Sequence, residues 1–368
     1  MTNPSGTPAP KDLMITLSRL LLPPQNGGGA QQAALHAEIA TISREKFDQL
    51  TELANENHVI IRVMEVIRGI AREAGDAERV EWAEAATAAE HARINNALSH
   101  LQAICAAIEE EGHDVTVIKS LDHWPDIGSD LDLYTNGKPE AICELMQRRF
   151  KAELAARSWG DRLACKWNFE IPGLPESVEI HMGRLGQTGE QTAIASSLMR
   201  RTRLVAVGGR QFRVTSASDR LLISTLQRMY RHFYFRLCDI LDSAGLTERG
   251  EVDFNDLRRA ATTAGIWEGA ATYMVIVSDY VKQYRGTGLV LPDFVRQSAR
   301  FGGEQIYFAK DFLRVPIMPQ SAKLYGTQLT GLLRKGEVQS SARLGLLPWL
   351  ATAAAVGLKI TGSDKGIW

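Results

Sequence analysis

The sequence predicts an α+β protein, a small mixed sheet flanked by N-terminal helices and a C-terminal helical domain. Three observations lead there. Apolar residues recur with a 3.6-residue period over long stretches on both sides of the chain's centre. Between them lie short β-branched or alternating runs separated by Pro and Gly turns. No internal repeat is visible, so a solenoid is not indicated. A length of 368 residues suits two domains, or one large domain with a helical appendage. The expected division is 1–30 (disordered residues, a short helix and a linker), 31–112 (helical), 113–215 (the α/β core) and 216–368 (helical).

Along the chain, residues 1–11 are rich in Pro, Ser and Thr and are expected to be disordered. Leu13–Leu22 has the pattern of a short amphipathic helix, stopped by Pro23-Pro24 and followed by a flexible QNGGG break. Ser43 can open a helix whose apolar positions run from Phe47 to Ile70, with Gly75 as its end. A second long helix is predicted over 77–111, with Gly112 as its stop. The pattern then changes. Val115–Ile118 reads as a strand, Leu121–Gly128 as a loop, and Asp130–Tyr134 as a half-buried strand. Pro139–Phe150 returns to helix with Pro in its first turn. Lys166–Ile171 and Val178–Met182 are two further strands, and Leu204–Val214 is a hairpin turned by Gly208-Gly209. From Ala217 the chain is predicted helical to about Gly286, with breaks near Gly250 and Gly265. The last eighty or so residues should hold further helices.

Composition excludes several classes. With 45% hydrophobic and 23% charged residues, the chain is neither collagen-like, coiled-coil nor wholly disordered. A balance of 42 Lys+Arg against 43 Asp+Glu argues against a basic nucleic-acid coat or an acidic solvating tail. Cys105, Cys143, Cys165 and Cys238 form no CxxC pair, so neither a zinc ribbon nor a disulfide framework is indicated. Four reduced thiols in a cytoplasmic protein is the simplest expectation. No basic segment precedes an apolar run at the start. The apolar stretch 344–358 is short of the roughly 20 residues a membrane span needs. It is expected to be a buried or surface-lying helix, without stable membrane insertion.

The chemistry sits in Val117–Thr135. Asp130 and Asp132 are two apart in a strand, so their carboxylates share one face, about 7 Å apart along the chain, while Leu131 and Leu133 face the core. Two carboxylates on one face repel unless a cation lies between them. Hard oxygen ligands select Mg²⁺ or Mn²⁺. Such ions can clamp a polyphosphate for phosphoryl or nucleotidyl transfer. Glu179 and His181 share the face of another short strand. If that strand lies beside the first, three carboxylates converge: Asp130, Asp132 and Glu179. A lone D-x-D is more often a solvated edge, but the upstream turn and the second acid-bearing strand shift the balance.

This segment resembles the nucleotidyltransferase superfamily of the DNA polymerase β type. More closely, it resembles an uncharacterised bacterial nucleotidyltransferase family with KG, DxD and DxH motifs. Ile118-Lys119-Ser120 stands at the first motif, Ser129–Tyr134 at the second, and Val178–Met182 at the third. Leu50–Val66 and His232, Arg236, Leu237, Asp239 and Ile240 match the family's helical flanks, so the likeness covers most of 40–285. It implies a sheet of nucleotidyltransferase type and metal-dependent transfer of NMP from an NTP such as ATP to an acceptor hydroxyl. Asp130, Asp132 and Glu179 would be metal ligands and catalytic, and Lys119, Ser120, Ser129 and His181 would bind nucleotide. The acceptor could be a small molecule, RNA or protein. The chain departs from the family in three places. Lys119-Ser120 replaces the Gly-containing turn, Asp126 stands near the usual Arg, and Glu179 replaces Asp. Three alternatives therefore stay in view: a toxin-type transferase acting on tRNA or protein, a catalytically silent nucleotide-binding or scaffold module, and a small-molecule phosphotransferase.

Arginines at 200, 201, 203, 210, 213, 220, 228, 231 and 236 crowd one segment with Asp219 as its one acid. They suit either polyphosphate binding or a solvated rim paired to acidic helices elsewhere. Interleaved Tyr230, Phe233, Tyr234 and Phe235 are expected to be core, and His232 is expected to pair with Asp239 two helical turns on.

Overall fold

A computed structural model describes residues 10–25, 29–350 and 352–353. The architecture is α+β. Five helices come first: α1 (Pro10–Leu21), α2 (Gly29–Ala40), α3 (Arg44–Glu56), α4 (Ile60–Glu73) and α5 (Ala77–Glu110). Ser43 caps α3 by accepting the Lys46 N–H, and Asp76 caps α5 by accepting that of Arg79. The single helix expected from Ser43 to Gly75 is broken. Asn57 donates through its amide to Leu53 O at 3.0 Å and Asp311 O at 3.1 Å, and accepts from Leu237 N at 3.0 Å. His58 then takes a left-handed φ of 51°. Bonds to residues far along the chain replace the helix's own, which local periodicity cannot signal.

The sheet region follows: β1 (Val115–Val117), β2 (Asp130–Thr135), α6 (Pro139–Phe150), β3 (Glu153–Leu154), α7 (Trp159–Ala164), β4 (Lys166–Glu170), β5 (Ser177–Met182), α8 (Thr192–Leu198), β6 (Thr202–Val207) and β7 (Arg210–Thr215). Seven strands lie in the order β3-β4-β5-β2-β1-β7-β6. The β2–β5 and β1–β7 pairs are parallel and the others antiparallel, so the sheet is mixed. Gly208 and Gly209 both have positive φ (55° and 77°), the conformation a two-residue hairpin turn needs. Leu131, Leu133, Val178 and Ile180 are fully buried on one face of β2 and β5. Their alternation with Asp130, Asp132 and Glu179 aims the acids the other way.

The remainder holds α9 (Ala217–Tyr230), β8 (Tyr234–Phe235), α10 (Leu237–Glu248), α11 (Phe254–Ala264), α12 (Trp267–Arg285), α13 (Asp293–Ser298), β9 (Tyr307–Ala309), β10 (Phe312–Arg314), α14 (Ala322–Arg334) and α15 (Val338–Gly345). This region also carries short strands that the sequence reading did not include. Strands β8, β10 and β9 form a small second sheet, and β8 interrupts the helix expected from Ala217. Tyr234 and Phe235 pair with Arg314 and Leu313, a partnership closed over nearly eighty residues. Helix α2 lies largely in the region expected to be helical, helices α7 and α8 lie where no helix was expected, and α1 begins at Pro10, inside the stretch expected to be disordered. Residues 1–9, 26–28, 351 and 354–358 of the N-terminal, QNGGG and apolar 344–358 readings lie outside the described residues. Of the last stretch, Leu344 is buried and Trp349 exposed. No helix among the described residues is long and apolar enough to cross a membrane.

Candidate functional site

Parallel pairing of β2 with β5 sets Asp132 directly beside Glu179, Asp130 beside Ser177, and Tyr134 beside His181. Paired residues of a parallel ladder share a face, so the acids face one cleft. Ligand atoms of Asp132, Glu179 and His181 lie within 4.8 Å of one another. Asp130 stands at the mouth of the cleft, exposed, and its carboxylate has no ion pair or side-chain hydrogen bond among the described residues. The cleft encloses about 260 Å³, and Lys119, Ser120, Ser129, Arg228, Arg231 and Arg236 also line it.

The acids are not bare. The Lys119 ammonium meets Asp132 and lies 3.4 Å from Glu179 Oε1. Lys166, opposite His181 on β4, reaches Glu179 Oε2 at 2.8 Å and Asp161 at 2.9 Å. His181 Nε2 is 2.7 Å from Glu179 Oε1, and its Nδ1 is buried without a partner. Ser120 contributes to the scaffold. Its hydroxyl accepts from Asp132 N at 2.6 Å and donates to Asp130 O at 3.3 Å.

Electrostatics divides the carboxylates. Burial opposes Glu179's charge, but Lys119, the His181 hydrogen bond and Lys166 together hold it well below the usual carboxylate range. Burial pushes Asp132 well up; Lys119 opposes this, and the neighbouring Glu179 and Asp130 charges add to the rise. Enclosure by the cleft, then the Glu179 charge, raise Asp130. Burial lowers His181 against the pull of Glu179. The cluster therefore titrates as a coupled set with Glu179 as its ionised member.

Three oxygen donors on one face fit Mg²⁺ or Mn²⁺ by chemical type. Asp132 Oδ1 is buried and is held by the Lys119 ammonium. Lys119 is the competitor. It has a φ of 67°, in the left-handed region that favours glycine. Lys119→Gly is expected to relieve about 1 kcal/mol of backbone strain and to free the carboxylates. Mn²⁺ should then raise the melting temperature of the variant more than that of the wild type, as scanning calorimetry would register. Equal shifts would show that Lys119 does not compete for the acids.

A second ionic network fixes the loop before β2. Arg62 on α4 bonds Asp126 at 2.8 Å and Asp242 at 2.9 Å, Ile61 N donates to Asp126 at 2.7 Å, and Asp242 meets His123 at 2.5 Å. Arg220 on α9 pairs with Asp122 at 2.7 Å. Asp126 thus anchors the loop to α4.

The expected His232–Asp239 pairing does not form. Asp239 accepts from buried Arg228 at 2.7 Å and from Arg236 N at 2.7 Å, while His232 lines the cleft. The seven-residue spacing assumed a continuous helix, and β8 breaks it. The arginine-rich segment divides. Arg201, Arg203, Arg220 and Arg228 have carboxylate partners, whereas the cleft residues Arg231 and Arg236 have none among the described residues. Tyr234 stacks on Phe312 at 4.4 Å, with the Arg228 and Arg314 guanidiniums 5.4 and 5.0 Å from the Tyr234 ring centre.

Lys166, His58 and His123 are cleft residues that the sequence did not single out. His58 lies inside the family-like segment Leu50–Val66, its one available signal. Lys166 has no local signal, because its role depends on β4 lying next to β5. Burial, then the Arg236 charge, hold His58 well below its ordinary value. The unfolded chain protonates it below about pH 6.5 and the folded chain does not. Stability linked to His58 is complete above that pH and is lost as pH falls toward the folded value. Asn tolerates the left-handed backbone. His58→Asn should therefore narrow the stability difference between pH 7.5 and pH 5 in urea titrations; an unchanged difference would place the linkage elsewhere.

No family model matches the chain, and no curated protein does. Three solved chains match. One, an antigenic nucleotidyltransferase-like protein from Paracoccidioides brasiliensis, is 13% identical with a TM-score of 0.34, over 52% of this chain and 93% of its own. A likeness of that degree carries no inference about activity.

Proposed function

We propose that this chain is a metal-dependent nucleotidyltransferase with a sheet of nucleotidyltransferase type, moving NMP from an NTP to an acceptor hydroxyl. One observation carries the reading: Asp132 and Glu179 are register partners on adjacent parallel strands, with Asp130 on the same face at the cleft mouth. Asp130, Asp132 and Glu179 would hold Mg²⁺ or Mn²⁺, which supplies Lewis-acid charge at the phosphates when bound. Arg231 and Arg236, without carboxylate partners among the described residues, would meet the polyphosphate, with Lys119 and Ser129 beside them. The acceptor oxygen bonds to the α-phosphorus, the α–β phosphoanhydride bond breaks, and pyrophosphate leaves. The acceptor's proton goes to Asp130. That carboxylate is raised and has no ion pair among the described residues, whereas Lys119, the His181 hydrogen bond and Lys166 hold Glu179 in the ionised form that suits a metal ligand.

One observation favours a second reading, the catalytically silent module. Lys119 and Lys166 already neutralise the acid pair from within the chain. Incubation of the purified protein with each labelled NTP, Mg²⁺ and a cell extract separates the two. Labelled acceptor with released pyrophosphate supports transfer. Binding of NTP without product supports the silent module.

A further inference from the structure

The acidic cleft does not end at its own walls. Arg231 and His232 line both the cleft and a second cavity of about 590 Å³ behind it. That volume falls in the roughly 300–1,000 Å³ range of small-molecule sites. Its walls are apolar and aromatic: Tyr230, Phe233, Ile317, Ala322, Tyr325 and Leu347. The Tyr325 hydroxyl donates to Leu344 O at 3.0 Å, so its polar tip is engaged and its ring is left to the cavity. Its polar lining is Gln187, Ser321, Arg231 and His232, of which Arg231 and His232 also line the cleft. At that junction Phe233 has a left-handed φ of 55°, strained for an aromatic residue, and Val315 N holds it there by donating to Phe233 O at 2.9 Å.

We propose that this cavity is the acceptor site, and that the acceptor is a small hydroxylated molecule with an aromatic or branched apolar body. The word acceptor rests on the nucleotidyl-transfer reading; the binding of such a molecule does not. The apolar body fills the chamber, and its hydroxyl passes Arg231 and His232 toward the Asp130 side of the cleft. Burial and Arg231 keep His232 neutral, so it can hydrogen-bond that hydroxyl without adding charge. The charge pattern disfavours RNA. A nucleic-acid backbone is held by several unpaired cations, yet of the three cleft arginines Arg228 is committed to Asp239, leaving Arg231 and Arg236.

Fluorine NMR with 4-(trifluoromethyl)phenol tests the binding on the full chain. The wild type and Asp132→Asn should both broaden the probe signal, and Ala322→Trp, which fills the chamber, should not. Leu347→Trp fills it from another segment and guards against a folding artefact, each variant being checked by thermal melt. In the labelled-NTP incubation, wild type should yield a small labelled product that stays soluble when RNA and protein are acid-precipitated, and both Trp variants should lose it by at least tenfold while still binding NTP. Probe binding by both Trp variants equal to wild type, or label residing in RNA or protein, overturns the proposal. Probe binding lost in both Trp variants with no transfer by wild type refutes the transferase reading alone and supports the cavity as a small-molecule site.

Discussion

Asp132→Asn is expected to lower nucleotidyl transfer by a factor of about 10³ or more and to leave the fold in place. A metal clamp supplies several kcal/mol of transition-state stabilisation, and each 1.36 kcal/mol is about tenfold in rate. The fold should survive because Asp132 is the strained member of its cluster. Burial and the charges of Glu179 and Asp130 disfavour its ionised form, so a neutral amide of the same shape relieves repulsion. Lys119 keeps Glu179 as its partner. Glu179→Gln is the instructive contrast. Glu179 is the ionised hub of Lys119, Lys166 and His181, and its loss leaves Lys119 with Asp132 and Lys166 with Asp161 as their remaining partners. Stranding a buried charge outright typically costs about 3–5 kcal/mol, and the retained carboxylates hold the loss below that. Initial rates with labelled NTP, beside urea melts of both variants, separate chemistry from folding. An Asp132→Asn protein with full activity would remove the metal proposal.

Arg228→Met should destabilise the protein by about 3–5 kcal/mol, the usual cost of stranding one partner of a buried ion pair. The side chains of Arg228 and Asp239 are 4% and 2% exposed, and the pair joins α9 to the first turn of α10. Asp239 would keep its bond from Arg236 N at 2.7 Å but lose its charge partner. The double variant Arg228→Met/Asp239→Leu should recover much of the loss, short of about 1 kcal/mol for the missing helix cap. A double-mutant cycle by urea denaturation would measure the coupling. A single-variant loss below 1 kcal/mol would show that the pair is already solvated.

The legible parts of this molecule are the local ones. Asp130–Thr135 alternates acid with aliphatic, and a strand has only two faces, so the acid face could be assigned before any partner strand was known. Pro139 at a helix start, Ser43 and Asp76 as caps, and Gly208-Gly209 at a hairpin turn are likewise decided within a few residues of backbone. The illegible parts need long closures. Asn57 breaks a helix because residues 237 and 311 come to meet it. Strand β8 exists because residues 313 and 314 pair with it.

The candidate site divides along the same line. Sequence alone determined that Asp130 and Asp132 share a face, that Glu179 and His181 share another, and that aliphatic residues lie behind each. Backbone geometry of period two sets all of that. Tertiary structure decided that those faces merge, that Lys119 and Lys166 sit among the acids, that Asp239 takes Arg228 rather than His232, and that an apolar chamber opens behind Arg231. Those outcomes depend on which strands pair and which helices pack, over separations where no periodicity survives.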